Sequence, residues 1–429
     1  MGIFSQNALV NNGASIKVFG SGIPSLHQDI AVFGNFENQN DGNNDGTIDL
    51  VNSANMSVSG DWTNNSFANV FDPNSISITD GTVTLDNSNN NQIVGGLTPT
   101  YFENLNVKGS RKILVNNNNS VNNSLFIDGI LELNNRTFEI KNKSTSGIIY
   151  HSGFIKSEGL PGNYGSIKWN TDNTVGTFSI PFGSDNYYED NDLNFSINLQ
   201  SSMSNGDYFT FSTYHTDGFN QPLPSGATSL ETEVRKVVDR FWVIEPSDKN
   251  NIPTSDLIFS YASSDLSNTV NSIDPQRLVA SRNNTNIGKW LDMEPRGIQN
   301  LNKIQINNVQ PSEFYTNWTL LNMPPVLSDV FVPDAFSPNG DGVNDLFSPT
   351  FQVDFTITNY EFLIFNRWGN VIFSTKDKTL GWDGTVDGKN NKPLVGIYSW
   401  VIIVRGYSDN NFSGDGITQK FTGMVTLIM

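Results

Sequence analysis

The sequence predicts an all-β protein in three successive parts, and three observations carry that prediction. Short apolar runs alternate with polar residues at period two along nearly the whole chain, the signature of half-buried strands. Apolar residues do not recur at helical spacing. The residues between the runs are chiefly Asn, Gly, Ser, Thr and Asp, and only 16% of the chain is charged, which suits tight turns rather than helical surfaces. With 37% hydrophobic residues the 429-residue chain has material for real cores, and its length suggests two to four domains at roughly 100–200 residues each.

Residues 1–170 form the first part. Runs such as Ser15–Phe19, Ile30–Phe33, Met56–Ser59, Ser75–Ile78 and Thr82–Leu85 are followed by Leu105–Val107, Ile113–Val115, Leu125–Ile127, Ile130–Leu133 and Phe138–Ile140. Strands this short, with Asn-rich corners between them, predict stacked coils: an irregular β-helix or flattened solenoid, with a plain β-sandwich as the competing arrangement. Asp80-Gly81 and Asp128-Gly129 read as tight turns between strands.

Residues 171–325 carry longer, more aromatic strands: Thr177–Gly183, Phe195–Leu199, Tyr208–Ser212, Val237–Ile244, Leu257–Tyr261 and Trp318–Leu320. Their length and spacing predict a two-sheet β-sandwich. Pro324-Pro325 marks the next boundary, because Pro favours an extended connector.

The third part, 328–429, has about seven short strands separated by Gly, Asn and Asp turns, which predicts an Ig-like sandwich. Trp368, Trp382, Tyr398 and Trp400 are its expected buried anchors. Three blocks stand out in order: Phe336-Ser337-Pro338-Asn339-Gly340-Asp341-Gly342-Val343-Asn344-Asp345, Asn366-Arg367-Trp368-Gly369, and Trp382-Asp383-Gly384. They resemble, across 330–429, the gliding-motility-associated C-terminal domain family, the type B sorting domain of the type IX secretion system. Gly396-Ile397-Tyr398 stands where that family commonly has Gly-Thr-Tyr. More loosely, Phe178–Gly183 and Arg240-Phe241-Trp242 resemble a recurrent Bacteroidetes surface-protein layout, in which a coil region ends in a Phe-x-x-Pro-x-Gly strand and an Arg-x-Trp strand follows.

The resemblance implies export through the type IX translocon and location at the outer-membrane surface or outside the cell. It also implies retention by an outer-membrane barrel of the PorP/SprF kind, in company with a larger surface adhesin. Asn339, Asp341, Asp345, Arg367, Trp368 and Trp382 are the candidate secretion and docking residues. The bland alternative is that Asn339, Asp341 and Asp345 merely cap a tight turn. Gly2–Gln6 looks like the tail of a secretory signal, which would place the mature start near Gln6.

Acidic residues outnumber basic ones 43 to 25. A net charge of −18 makes nucleic acid and anionic membrane surfaces poor partners. No apolar run reaches the ~18 residues of a spanning helix. The absence of cysteine excludes disulfides and thiolate metal sites.

The clearest metal motif is Asp41-Gly42-Asn43-Asn44-Asp45-Gly46-Thr47-Ile48-Asp49. Asp41, Asn43, Asp45 and Asp49 fall at loop positions 1, 3, 5 and 9 of a calcium loop, Gly46 at 6, and the Thr47 carbonyl at 7. Asn52 stands where a bidentate Glu is expected, so calcium would bind weakly there; a solvated turn is the other reading. Asn339–Asp345 shares part of that spacing.

Catalysis has little support. His27, His151 and His215 lie in unrelated contexts, and the carboxylate pairs Glu189/Asp190 and Glu231/Glu233 have no partner motif. The expectation is a non-enzymatic structural or adhesion protein of the gliding-motility or surface-adhesin machinery. A secreted carbohydrate-binding or carbohydrate-cleaving solenoid is the alternative.

Overall fold

The computed structural model describes residues 7–12, 15–19, 29–43, 45–51, 53–67, 70–71, 80–160, 162–185, 193–230, 237–266, 273–293, 299–300, 302–322, 330–351, 356–386, 395–407 and 417–428. The expected strand at Ser75–Ile78, the connector Pro324-Pro325 and the start at Gln6 lie outside them. The chain is all-β and divides into two compact units, 1–322 and 323–429.

In the first half of unit one, each strand pairs in parallel with the strand one circuit later. One ladder runs Ile30–Val32, Asn55–Val58, Thr82–Asn87, Tyr101–Leu114, Ser120–Glu132 and Ile148–Lys156. A second runs Asn7–Asn12, Asn35–Gln39, Trp62–Asn65, Gln92–Gly96 and the end of Tyr101–Leu114. Register aligns Met56, Val83, Leu105, Leu125 and Ile148 in one buried column and Val58, Leu85, Val107 and Ile127 in the next. Each such side chain contributes roughly 1.5–3 kcal/mol on burial. Ring contacts Phe36–Trp62 (4.4 Å) and Trp62–Phe102 (5.4 Å) fill the interior beside them.

Asparagine does two jobs here. Asn116, Asn134 and Asn135 take positive φ at corners, which their short side chains tolerate. Asn11, Asn38 and Asn64 instead align in a buried column, where Asn38 Nδ2 donates to Asn64 Oδ1 (3.3 Å) and Gly46 O (2.8 Å). That amide ladder hydrogen-bonds polar groups inside the stack.

Asp128-Gly129 is not a turn. Ser120–Glu132 runs through it without reversing, and Gly109, Gly129 and Gly153 stack in register across successive strands. A Cβ on Gly129 would lie 2.5 Å from the Gly109 carbonyl oxygen. The glycine serves close stacking, not chain reversal. Just beyond this column Arg111, Glu132, Lys156 and Asp185 form an ion-pair ladder across successive strands.

Ser166–Asn170 changes the pairing. It is parallel to Thr137–Ile140 on one side and antiparallel to Tyr208–His215 on the other. Beyond it Tyr208–His215, Val237–Pro246, Asn317–Asn322, Leu278–Asn284 and Lys289–Asp292 continue as an antiparallel sheet. A second antiparallel sheet holds Gly176–Ile180, Phe195–Leu199, Ser255–Ser260, Lys303–Val309 and Gln299–Asn300. The two meet through Phe195–Phe211 (5.6 Å), Trp242–Phe259 (5.1 Å) and Phe259–Trp318 (5.7 Å). One hydrophobic core runs through both halves, from Val32 to Leu320.

Unit two is a five-stranded sheet in the order Ala335–Phe336, Ile417–Leu427, Gly396–Tyr407, Thr356–Phe365, Val371–Thr375, with Val330–Phe331 paired separately to Thr350–Phe351. Its core gathers Phe336, Phe347, Phe362, Ile364, Trp382, Trp400 and Leu427. Trp368 departs from its expected role as a buried anchor and is 72% exposed. The cause is local. Asn366 Oδ1 accepts from both Trp368 N and Asn370 N (3.0 Å each), and Gly369 takes φ +81°, so the chain reverses with the indole outside the sheet.

Candidate functional site

In unit two the Asn339–Asp345 loop closes on itself. Asp345 accepts from Gly340 N (2.7 Å) and Gly342 N (2.8 Å), while Asp341 accepts from Val343 N (2.8 Å) and Asn339 Nδ2 (2.9 Å). Gly340 and Gly342 hold φ +82° and +87°, and Asn344 +53°. The Val343 N–H and the Asn339 amide hold the Asp341 carboxyl below the usual carboxylate range, although it is fully exposed. The loop's carboxylates therefore serve the loop's own backbone, and they also face solvent.

The Arg367 guanidinium lies over the Trp368 ring, 4.5 Å from its centroid. Both line a cleft of about 480 Å³ with Asn366, Ile372, Ile397 and Tyr398. Among the described residues of its walls Arg367 is the charged one. Trp382 is not on the surface: it is fully buried, its Nε1–H donating to Thr385 O (2.8 Å). Its ring lies tilted against Phe336 (5.1 Å) at the base of the acidic loop and edge-on to Tyr398 (5.1 Å) in the cleft wall. Among the six candidate residues, five are exposed or loop-forming and Trp382 supports them from the core.

The Asp41–Asp49 segment turns sharply through an antiparallel bridge between Asn40 and Asp45. Asp45 Oδ1 accepts from Asn40 Nδ2 (3.0 Å), Ser66 Oγ (2.5 Å) and Phe67 N (2.8 Å). Asp41 accepts from Asn43 N (2.8 Å), and the Thr47 carbonyl accepts from Asn11 Nδ2 (3.2 Å). Asp49 is buried within strand Thr47–Val51, whereas Asp41 and Asn43 are exposed. Among the described residues no group of three or more His, Cys, Asp or Glu could hold a metal ion.

A further cluster lies in unit one, around the Arg240 of the Arg-x-Trp strand. Arg240, fully buried, donates through Nε to Asp265 Oδ2 (2.8 Å) and through Nη1 to Glu158 Oε2 and Thr213 Oγ1 (3.3 Å each). His215 Nδ1 meets Asp265 Oδ1 at 3.1 Å, and Ser184 Oγ donates to Glu158. Burial alone would raise the Asp265 carboxyl, but the Arg240 charge, His215 and the Ala262 N–H together lower it to about 2. The partners are tens of residues apart in sequence, so only the Arg-x-Trp pattern pointed here. Glu158 and Asp265 are taken up by protein donors, an arrangement that fastens elements together.

His151 stacks on Phe126 at 6.4 Å. His27 and the pairs Glu189/Asp190 and Glu231/Glu233 lie outside the described residues. Among the described residues no helix is long and apolar enough to cross a membrane.

Residues 330–421 match the CHU_C type IX secretion signal domain. The chain is therefore cargo of the type IX secretion machinery, exported to the cell surface or released. Comparison of the chain with curated proteins gives no match.

Proposed function

We propose that this is a non-catalytic surface protein whose unit one is a rigid structural or adhesion body and whose unit two is both export signal and attachment module. The observation that carries the reading is the combination of the secretion-signal match with an exposed Arg367–Trp368 cleft that the packing of the unit does not require. An exposed Trp held rigidly by a turn is a typical interface anchor. The retaining partner is an outer-membrane barrel of the PorP/SprF kind, and the setting is the gliding-motility or surface-adhesin machinery. Asn339, Asp341 and Asp345 rim the docking surface, and Trp382 keeps its base rigid.

The test compares Arg367→Ala/Trp368→Ala with Asp341→Asn/Asp345→Asn in the native host, following secretion and surface retention. The first pair leaves the melting temperature unchanged and releases the protein into the culture fluid. Normal retention by both pairs, with normal folding, would refute the docking assignment. Affinity capture of the tagged chain from the outer membrane then identifies the barrel.

A further inference from the structure

Unit one carries, in its antiparallel half, a cleft of about 470 Å³, within the size range of ligand sites and with room for roughly two pyranose rings. We propose that it binds a neutral glycan. The proposal takes its biological setting from the adhesion reading above, but the cleft's chemistry stands apart from export.

Asn283 in the cleft wall is 1% exposed. Its Nδ2 donates to Thr228 Oγ1 (2.8 Å), and its buried Oδ1 has no protein donor. A buried amide oxygen left without a donor is destabilising, and it calls for a donor from outside the chain. A sugar hydroxyl supplies one when the Asn283 side chain turns its Oδ1 toward the cleft.

The other walls match the same ligand. Asn286 and Glu245 are exposed at the cleft, offering an amide and a carboxylate to ring hydroxyls. The Tyr315 hydroxyl accepts from Asn284 Nδ2 (2.6 Å), which fixes the ring in the wall. Phe314, Ile252 and Pro246 give the apolar surface that a sugar's C–H face needs.

Charge sets the class. Among the described lining residues Glu245 and Lys249 are the charged ones, of opposite sign, and the whole chain carries −18. Glu245 offsets Lys249 and the chain as a whole is acidic, so uronic or sulfated polymers are disfavoured.

Isothermal titration of the purified full chain uses cellotetraose, mannotetraose and chitotetraose as neutral probes and tetragalacturonate as the anionic one. At least one neutral probe binds and tetragalacturonate does not. Glu245→Gln/Asn286→Ala changes exposed side chains only; it keeps the melting temperature and weakens binding at least about tenfold. The proposal is overturned if no neutral probe binds, if tetragalacturonate binds as well, or if the double variant binds like the parent. None of these outcomes bears on surface retention, so failure here leaves the attachment reading to its own test.

Discussion

Replacing Arg240 by Met tests whether the buried ion cluster fastens unit one. The guanidinium is fully buried and bridges Asp265, itself fully buried, and Glu158, from three separate parts of the chain. Met keeps much of the stem and removes the charge, leaving two carboxylates with their strongest partner gone. Breaking a buried pair from one side costs about 3–5 kcal/mol. The lowered Asp265 carboxyl gives a second scale. Asp265 is lowered from 3.8 to about 2, which corresponds to roughly 2 kcal/mol of stability. For a carboxyl lowered on folding, that contribution is complete above pH 3.8 and is lost as pH falls through about 2. Without Arg240, burial dominates and the carboxyl rises above its ordinary value, so the folded variant takes up a proton in mildly acid solution. Chemical denaturation of the variant, followed by tryptophan fluorescence, is therefore expected to show the full loss at pH 7 and a markedly smaller loss near pH 4.5. Arg240→Met/Asp265→Asn should recover part of the loss at pH 7. A loss under about 1 kcal/mol, or the same loss at both pH values, would refute the claim that Arg240 compensates buried charge.

Three further substitutions probe other parts of the chain. Lys112 is fully buried, and desolvation pushes its ammonium down to about 8 despite Asp86 nearby, so the folded state is penalised below pH 8 and the penalty fades toward 10.5. Lys112→Met should stabilise at pH 7 by about 1–3 kcal/mol, less the two hydrogen bonds to the Ser110 and Asn87 carbonyls, with the gain vanishing near pH 10; destabilisation at pH 7 would count against it. Gly129→Ala forces a methyl against the Gly109 carbonyl and should cost about 2–3 kcal/mol, read as a lowered melting temperature, with an unchanged value arguing against close stacking. Because Asp45 and the Thr47 carbonyl already hold protein donors, millimolar calcium should leave the melting temperature unchanged; a rise abolished by Asp41→Asn would show that the corner opens to take the ion.

What the sequence made legible was local. Period-two alternation marks strands wherever one face is buried, and the change in strand character near residue 170 coincides with the switch from parallel to antiparallel pairing at Ser166–Asn170. What it hid depends on partners distant in the chain. Asp128-Gly129 carries the composition of a turn, and only the stacking of Gly109 and Gly153 above and below makes it a continuous strand. The interior column of Asn11, Asn38 and Asn64 looks like corner asparagine until register places it inside. Glu158 and Asp265 carry no local sign that Arg240 will lie between them.

The secretion-signal blocks illustrate how a motif mixes two kinds of residue. Phe336 and Trp382 are buried in the core of unit two, so their presence in the blocks is accounted for by packing. Asp341 and Asp345 bind the N–H groups of a loop with two positive-φ glycines, so a large part of their presence is accounted for by local backbone geometry. Asn366 closes the turn that follows and is likewise structural. Of the residues left, which include the exposed Val343, Arg367 and Trp368 lie together at one cleft. The turn would form with many other side chains at those two positions, yet it holds an indole out of the sheet with a cation laid over it. A large exposed ring adds nothing to the core and favours association, and beside a cation and a cleft it supports the attachment role proposed above. On the reading proposed above, subtracting what the fold uses from what the motif contains points to the Arg367–Trp368 cleft as the part of the motif left for attachment, with the acidic loop at most its rim.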